Sequence, residues 1–378
     1  MNDLLQSLRD AGNLRQLATV GGDARHLIHE GRRYLNLSSN DYLGLSADTA
    51  LQREFFATLD PARHFVMSNP SSRLVTGNSP EYDRTESTLS ALFGGRSALV
   101  LSNGFAINTG VLPAIVQKGD LILADKLVHA SLIDGLRLGE AEWQRFAHND
   151  TDHLERLLRK LRTAYRNVWI VTESIFSMDG DRAPLARLVE LKRQYDLKLY
   201  LDEAHAFGAC GADGTGLARA AGLDGEVDVL IATLGKALAS CGGFVITDAT
   251  TRELLVNRMR TLIFSTALPP VNLLWTDFLL QRLPGMSARR EHLAGLAGRL
   301  GARLASKIAG PSHIMPLIVG DNHRALELAG RLREAGFWTS AIRHPTVPQG
   351  SARLRISLNA ALTDNDIDRF TEAWNNIG

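Results

Sequence analysis

The stretch VDVLIATLGKALASCGGFV, residues 227–245, is where the reading of this chain begins. Val229 to Ala232 form an apolar run of strand length that delivers a hydroxyl at Thr233. Gly235 and Lys236 follow, and small residues continue through Gly243. A strand that ends in a tight turn and presents an amine beside a hydroxyl suits a pyridoxal-phosphate (PLP) enzyme. The amine of Lys236 forms the Schiff base, and Thr233 can hydrogen-bond the phosphate next to it. A lone loop lysine is usually a solvated surface charge, so the assignment needs support from elsewhere.

That support lies upstream in KLYLDEAHAFGACG, residues 198–211, a second apolar run that ends in Asp202 and then His205. PLP needs an acidic partner for its ring nitrogen, because a carboxylate there keeps the pyridine protonated and able to take up electrons. Asp202 falls at the carboxyl end of a strand, where open α/β sheets place their ligands. By itself D-x-x-H reads as a turn cap and a satisfied histidine. An acid at one strand end and a lysine at the next, with a hydroxyl three residues before it, reads as a site.

Three further segments point to the same edge. SALVLSNGFAINTG, residues 97–110, reads as strand, turn and helix start, with Gly104 and Phe105 at a helix N-terminus whose N–H groups can bind phosphate. LVHASLIDG, residues 127–135, supplies His129, a flat imidazole suited to stacking on a pyridine face. VWIVTESIFSMDGD, residues 168–181, brings Glu173 and Ser177 toward the same edge.

The apolar runs between about 97 and 245 (ALVL, LILA, VWIVTE, KLYLDE, VDVLIAT, GGFVIT) alternate with helical patterns such as HLERLLRKLRTAY. Runs of this kind fit strands buried on both faces, so the chain is read as α/β with a mostly parallel central sheet. From about 286 the pattern changes to a long helix candidate, SARREHLAGLAGRLGARLASKI, then HIMPLIVGD, a helix, TSAIRHP, RLRISL and a closing helix. We therefore expect an N-terminal segment over 1–45, a large cofactor-binding domain over 46–285 and a smaller α+β C-terminal domain over 286–378.

Composition sets limits. The chain has 378 residues, 45% apolar, enough for a large core, and its net charge of +1 predicts no general attraction to nucleic acid or membrane. The N-terminus MNDLLQSLRDAGNLRQL has acids within its apolar stretch and is not read as a signal peptide. No apolar run approaches the ~20 residues of a membrane span. Two cysteines, Cys210 and Cys241, suit a reduced cytoplasmic setting and give no metal-site or disulfide framework. A nicotinamide dehydrogenase would need G-x-G-x-x-G, whereas GADGTG at 211–216 is spaced G-x-x-G-x-G. Gly235 and Lys236 belong to no P-loop, since Ala237 follows where Ser or Thr is required. A non-catalytic PLP-binding regulator would need a DNA-binding module, for which the chain has no spare residues.

The segments NLSSNDYLGLS (36–46), SNGFAINTG (102–110), DKLVHASLIDG (125–135), TESIFSMDGD (172–181), LDEAHAFG (201–208), LGKAL (234–238), FSTALPP (264–270) and IRHPTVPQGSARLRISL (342–358), taken together, resemble the α-oxoamine synthases. These are PLP enzymes of the aspartate aminotransferase-like fold, and the resemblance runs in order over roughly residues 15–375. It implies catalytic roles for Lys236 as the cofactor-bearing amine, Asp202 at the pyridine nitrogen and His129 stacked on the ring. It further implies that Gly104, Phe105 and Thr233 surround the phosphate. His205 and Ser177 would contact the ring hydroxyl or phosphate edge. Asn40 would line the amino-acid site, Arg343 hold the substrate carboxylate, Thr346 lie close to the acyl donor and Arg15 contact it. Thr266 would reach the cofactor phosphate of a partner subunit, implying a homodimer with shared active sites.

The branch of the family that matches best condenses L-alanine with pimeloyl-CoA, or pimeloyl-carrier protein, in biotin biosynthesis. A synthase using glycine or another acyl-CoA, such as a glycine C-acetyltransferase, is the alternative. Two positions depart from the family pattern: Tyr82 stands where histidine is usual, and Thr215 where arginine is common. Neither is a core cofactor contact in the family, so they bear on the acyl channel rather than on the reaction class.

Overall fold

A computed structural model describes residues 1–64, 66–304 and 312–377. The last residues of the long helix candidate, 305–308, lie outside the described residues. The chain divides into two compact units, Thr49–Phe176 with Arg182–Ser287, and Met1–Asp48 with Ser177–Asp181 and Ala288–Gly378.

The first of these holds a seven-stranded sheet. Its strands in chain order are β1 (Ser97–Leu101), β2 (Leu121–Asp125), β3 (Glu142–Phe146), β4 (Val168–Glu173), β5 (Lys198–Asp202), β6 (Val229–Thr233) and β7 (Gly243–Thr247). Their order across the sheet is β1-β7-β6-β5-β4-β2-β3. All neighbours are parallel except β7, which runs antiparallel to both β1 and β6. Every residue of β2, β4 and β7 is buried. That is why these strands read as unbroken apolar runs rather than as an alternation.

Parallel pairing brings the carboxyl ends of β4, β5 and β6 to one edge, with Glu173 opposite Asp202 and Asp202 opposite Ile231 in register. The backbone carries straight on into functional loops there: Glu203 N–H donates to Ile231 O at 2.8 Å, and Ser174 N–H to Asp202 O at 2.9 Å. Beneath the loop after β5, Phe207 packs against Phe244 of β7 and against Phe93, with ring centroids 4.8 and 6.3 Å apart. All three rings are at most 1% exposed. At about 1.5–3 kcal/mol for each fully buried large side chain, this cluster is a strong anchor for the start of that loop.

The other unit has two small sheets. Gly21–Gly22, His26–His29 and Arg32–Asn36 pair antiparallel in sequence, and Phe337–Trp338 adds in parallel beside Arg32–Asn36. Ile314–Gly320, Ala352–Ser357 and Ser340–Ile342 form a three-stranded antiparallel sheet with Ala352–Ser357 at its centre. Ala352–Ser357 is wholly buried, which puts the two arginines of RLRISL into the interior. Both find acceptors: Arg353 pairs with Asp179, and Arg355 Nε donates to Ser177 O at 2.6 Å. Among the described residues, no helix is long and apolar enough to cross a membrane.

Candidate active site

At the carboxyl edge of the seven-stranded sheet lies a cleft of about 160 Å³. It brings together Gly104, Phe105, His129, Asp202, His205, Thr233 and Lys236, all seven of them expected from the sequence, with Asn108, Ser131, Glu173, Ala204 and Ile231.

Two helices open onto it. The helix α1 (Gly104–Ile115) starts with Asn103 as its cap, whose side chain accepts from Ala106 N–H at 2.7 Å. The helix α2 (Ala130–Leu138) is capped by His129, whose ring accepts from Ser131 N–H. Gly104 faces Thr233 across a notch: a Cβ at 104 would lie 3.5 Å from Thr233 Cβ and 3.7 Å from its Oγ1. A side chain there would fill the space between a helix N-terminus and a hydroxyl, a pairing suited to a phosphate.

Lys236 Nζ lies 2.8 Å from His205 Nε2. Gly208, in the same loop as His205, packs so tightly on Ala237 that a Cβ would come within 2.6 Å of it. The loop after β5 is thus fixed on both sides of the lysine. Glu203 anchors the far end of that loop. It is fully buried and accepts from Leu217 and Ala218 N–H at 2.9 and 2.8 Å. Burial pushes its carboxyl up to about 7, against the pull of those two N–H donors. Gly216 sits at φ +106° with its missing Cβ 1.6 Å from Glu203 Oε2, so only glycine fits there.

Asp202 accepts from Ala204 N–H at 2.8 Å on one oxygen and from Asn108 Nδ2 at 2.9 Å on the other. Its neighbour Glu173 accepts the backbone N–H of His129. Burial, and then the Asp202 charge, hold the Glu173 carboxyl well above the ordinary carboxylate range. Burial lowers the His129 imidazole, with Lys236 adding to the effect and Asp202 opposing it. A carboxyl held by two N–H donors, an imidazole, an amine and a phosphate notch are the donor set PLP requires, so these residues fit it.

The sequence reading passed over Asn108, Ser131 and Tyr200. Asn108 stands four residues after Gly104 on α1, Ser131 two after His129, and Tyr200 two before Asp202 on the same face of β5, but these spacings alone do not single them out, since their partners are far away in sequence. Four other expected residues lie in the second unit. Arg15 donates to Thr346 Oγ1 at 2.7 Å, Arg343 donates to Gly12 O, and Asn40 Oδ1 accepts from Arg355 Nη2 at 3.2 Å. Ser177, also in that unit, does not line the cleft; its carbonyl is held by Arg355. Thr266 pairs with Ser72 in an isolated bridge and lines a different cleft with Arg73 and Tyr82. Tyr82, the first departure, is buried under the Arg73 guanidinium, 3.9 Å from its ring centroid, and accepts from Leu268 N–H at 2.7 Å. Thr215, the second, is buried against Asp213.

Residues 32–373 match the family model described as aminotransferase class I and II. The chain belongs to the class I and II aminotransferase family. Among curated members it is 46% identical over 374 residues to an 8-amino-7-oxononanoate synthase of Haemophilus ducreyi, covering 96% of this chain and 97% of that one. It is 47% identical over 353 residues to the protein of the same name in Chlorobaculum parvum, covering 92% and 90%. Among solved members of this fold, a serine palmitoyltransferase of Sphingomonas wittichii superposes with a TM-score of 0.90 at 29% identity, covering 100% of this chain and 98% of that one. An 8-amino-7-oxononanoate synthase of Francisella tularensis gives 0.74 at 26% identity, covering 91% and 96%. The aspartate aminotransferase-like architecture expected from the sequence is the observed one, including the mostly parallel sheet.

Proposed function

We propose that the chain is a PLP-dependent 8-amino-7-oxononanoate synthase. It condenses L-alanine with pimeloyl-CoA, or pimeloyl-carrier protein, to give 8-amino-7-oxononanoate, carbon dioxide and CoA or free carrier. The observation that carries this reading is the 46–47% identity to proteins of that name over at least 90% of both chains. When bound, PLP supplies a cationic ring that takes up the electron pair left at the alanine α-carbon.

Each residue then has a defined task. Lys236 would hold the cofactor through Nζ and, once released, move the proton from and back to the α-carbon. The charge on Asp202 would hold the ring nitrogen protonated, and His129 would stack on the ring. Gly104 and Phe105 N–H groups with the Thr233 hydroxyl would hold the phosphate, and His205 would contact the ring hydroxyl or phosphate edge. Asn40 would line the alanine site, with Arg343, Thr346 and Arg15 holding substrate. In support, Arg15 and Arg343 set two guanidinium charges near one another, suited to an anionic substrate group. The new carbon–carbon bond joins the alanine α-carbon to the thioester carbonyl, the C–S bond breaks, and the alanine carboxylate leaves as carbon dioxide.

Steady-state assays of acetyl-, succinyl-, palmitoyl- and pimeloyl-CoA, each against L-alanine, glycine and L-serine, test the substrate assignment. Pimeloyl-CoA with L-alanine should give the highest kcat/KM. Alanine and glycine differ by one methyl group, worth about 1–3 kcal/mol in an apolar pocket, so the preference should be about 10–200-fold. A highest value for glycine with acetyl-CoA would make the chain a glycine C-acetyltransferase instead.

The working form we propose is a cytoplasmic homodimer with composite sites. The short helix Arg260–Ile263 packs on both α1 and the π-helical turn Arg73–Gly77. These elements and the residue after the helix leave Phe264 70%, Val75 74% and Phe105 52% exposed, an apolar face of the kind that a second copy covers. Mixing an inactive Lys236→Ala chain with a chain inactivated at Thr266 should restore part of the wild-type rate, as one composite site in the mixed dimer is intact. A fully active monomer at assay concentration would overturn the proposal.

A further inference from the structure

Behind the cleft a buried chain of polar groups runs from Tyr200 to His129, and its donors and acceptors can be assigned one at a time. The Tyr200 hydroxyl donates to Asn108 Oδ1 at 2.7 Å. Asn108 Nδ2 donates to Asp202 Oδ2 at 2.9 Å and to Ser131 Oγ at 3.0 Å. Reversing the amide would set Oδ1 against a carboxylate, acceptor facing acceptor, so this orientation is fixed. Ser131 Oγ already accepts from Asn108, and its own proton goes to His129 Nδ1, 2.7 Å away. The Ser131 backbone N–H, which can only donate, also points at Nδ1, at 3.2 Å. His129 Nδ1 is therefore an acceptor twice over and carries no proton. The ring's one proton sits on Nε2.

We propose that Tyr200, Asn108 and Ser131 are positioning residues that hold His129 as the neutral Nε2–H tautomer, so that the charge of Asp202 stays reserved for the cofactor's ring nitrogen. The purpose assigned to this tautomer rests on the PLP reading above; the tautomer itself does not. Protonating Nδ1 would break both of its accepted bonds and set a cation beside Asp202, which would then pair with the histidine instead of the ring. The lowered imidazole of His129 agrees with this. All three positioning side chains are at most 2% exposed, so no water competes for the bonds. Tyr200 is the terminus: burial and Asp202 hold its phenol well above the ordinary tyrosine range, so it stays a donor.

The test is nitrogen NMR of the full chain labelled with 15N-histidine, with and without PLP, assigned by loss of the His129 signals in His129→Gln. Wild type should show unprotonated Nδ1 and protonated Nε2 at neutral pH in both forms. Ser131→Ala removes the hydroxyl link and should raise the His129 pKa by about one unit or more. Tyr200→Phe leaves Asn108 Oδ1 without its donor, loosening an amide that Asp202 still orients, and should raise that pKa less. A protonated Nδ1 in wild type overturns the proposal, as do an unchanged tautomer and pKa in both folded variants. Loss of pimeloyl transfer activity from the substrate assays would sink the functional reading and leave this result standing.

Discussion

Lys236→Ala should lose activity by about 10³-fold or more, because one side chain both holds the cofactor and moves the α-proton. Among the described residues, no other side chain lining the cleft carries an amine. The substitution should leave the sheet intact, since Lys236 is partly exposed and lies beyond the end of β6 rather than in the core. Purified wild type should be yellow, and the variant should lose the absorbance band of the covalently held cofactor. Turnover within tenfold of wild type, with an unchanged spectrum, would remove Lys236 from the mechanism. His205 is the residue to watch in the same experiment, because losing Nζ removes the partner 2.8 Å from its Nε2.

Asp202→Asn should follow with a loss on the order of 10²-fold or more, since each unit of ring pKa lost is about 1.4 kcal/mol. The substitution is less conservative than it looks. One Asp202 oxygen faces the Ala204 N–H and the other faces Asn108 Nδ2, both donors. An asparagine must turn its own NH₂ toward one of them, leaving a buried clash or an unmade bond that costs about 1–3 kcal/mol of stability. Thermal unfolding separates the two effects. A fall in Tm beside a rate loss measured on folded protein supports the electrostatic role; a near-normal rate on folded protein shows that something else protonates the ring.

The parts of this fold that local sequence encodes are those whose environment is uniform along the chain. β2, β4 and β7 are buried at every position and so appear as apolar runs, and the polar residue that ends a run marks the functional edge, as Glu173, Asp202 and Thr233 do. The antiparallel insertion of β7 between β1 and β6 is different. Nothing in GGFVIT distinguishes a strand that runs against its neighbours from one that runs with them, because both faces are buried either way. The pairing of Leu35 and Asn36 with Phe337 and Trp338 joins positions some three hundred residues apart through a two-residue strand too short to have a period. It places residues 1–48 in one unit with the C-terminal residues.

Within the site, the residues with distinctive chemistry were legible and their supports were not. Lys236, Asp202 and His129 stand out because an amine, an acid and an imidazole at strand or helix ends have few other uses. Asn108 is an ordinary helical asparagine until Asp202, 94 positions away, and Tyr200, 92 positions away, meet it in space. Arg355 lies in a strand that carries two arginines, yet it is buried and links Ser177, Ser357 and Asn40 inside the second unit. Long-range polar satisfaction of this kind leaves no local pattern, since any buried donor needs only some acceptor and the chain does not say which.

The central claim is that one lysine carries the cofactor, and borohydride reduction of the PLP-loaded protein followed by peptide mapping tests it most directly. Reduction traps whichever amine is bonded to the cofactor. The expected result is a single labelled peptide containing Thr233 to Ala237 with the label on Lys236. Label on any other lysine, or a loaded protein that takes no label, would contradict it.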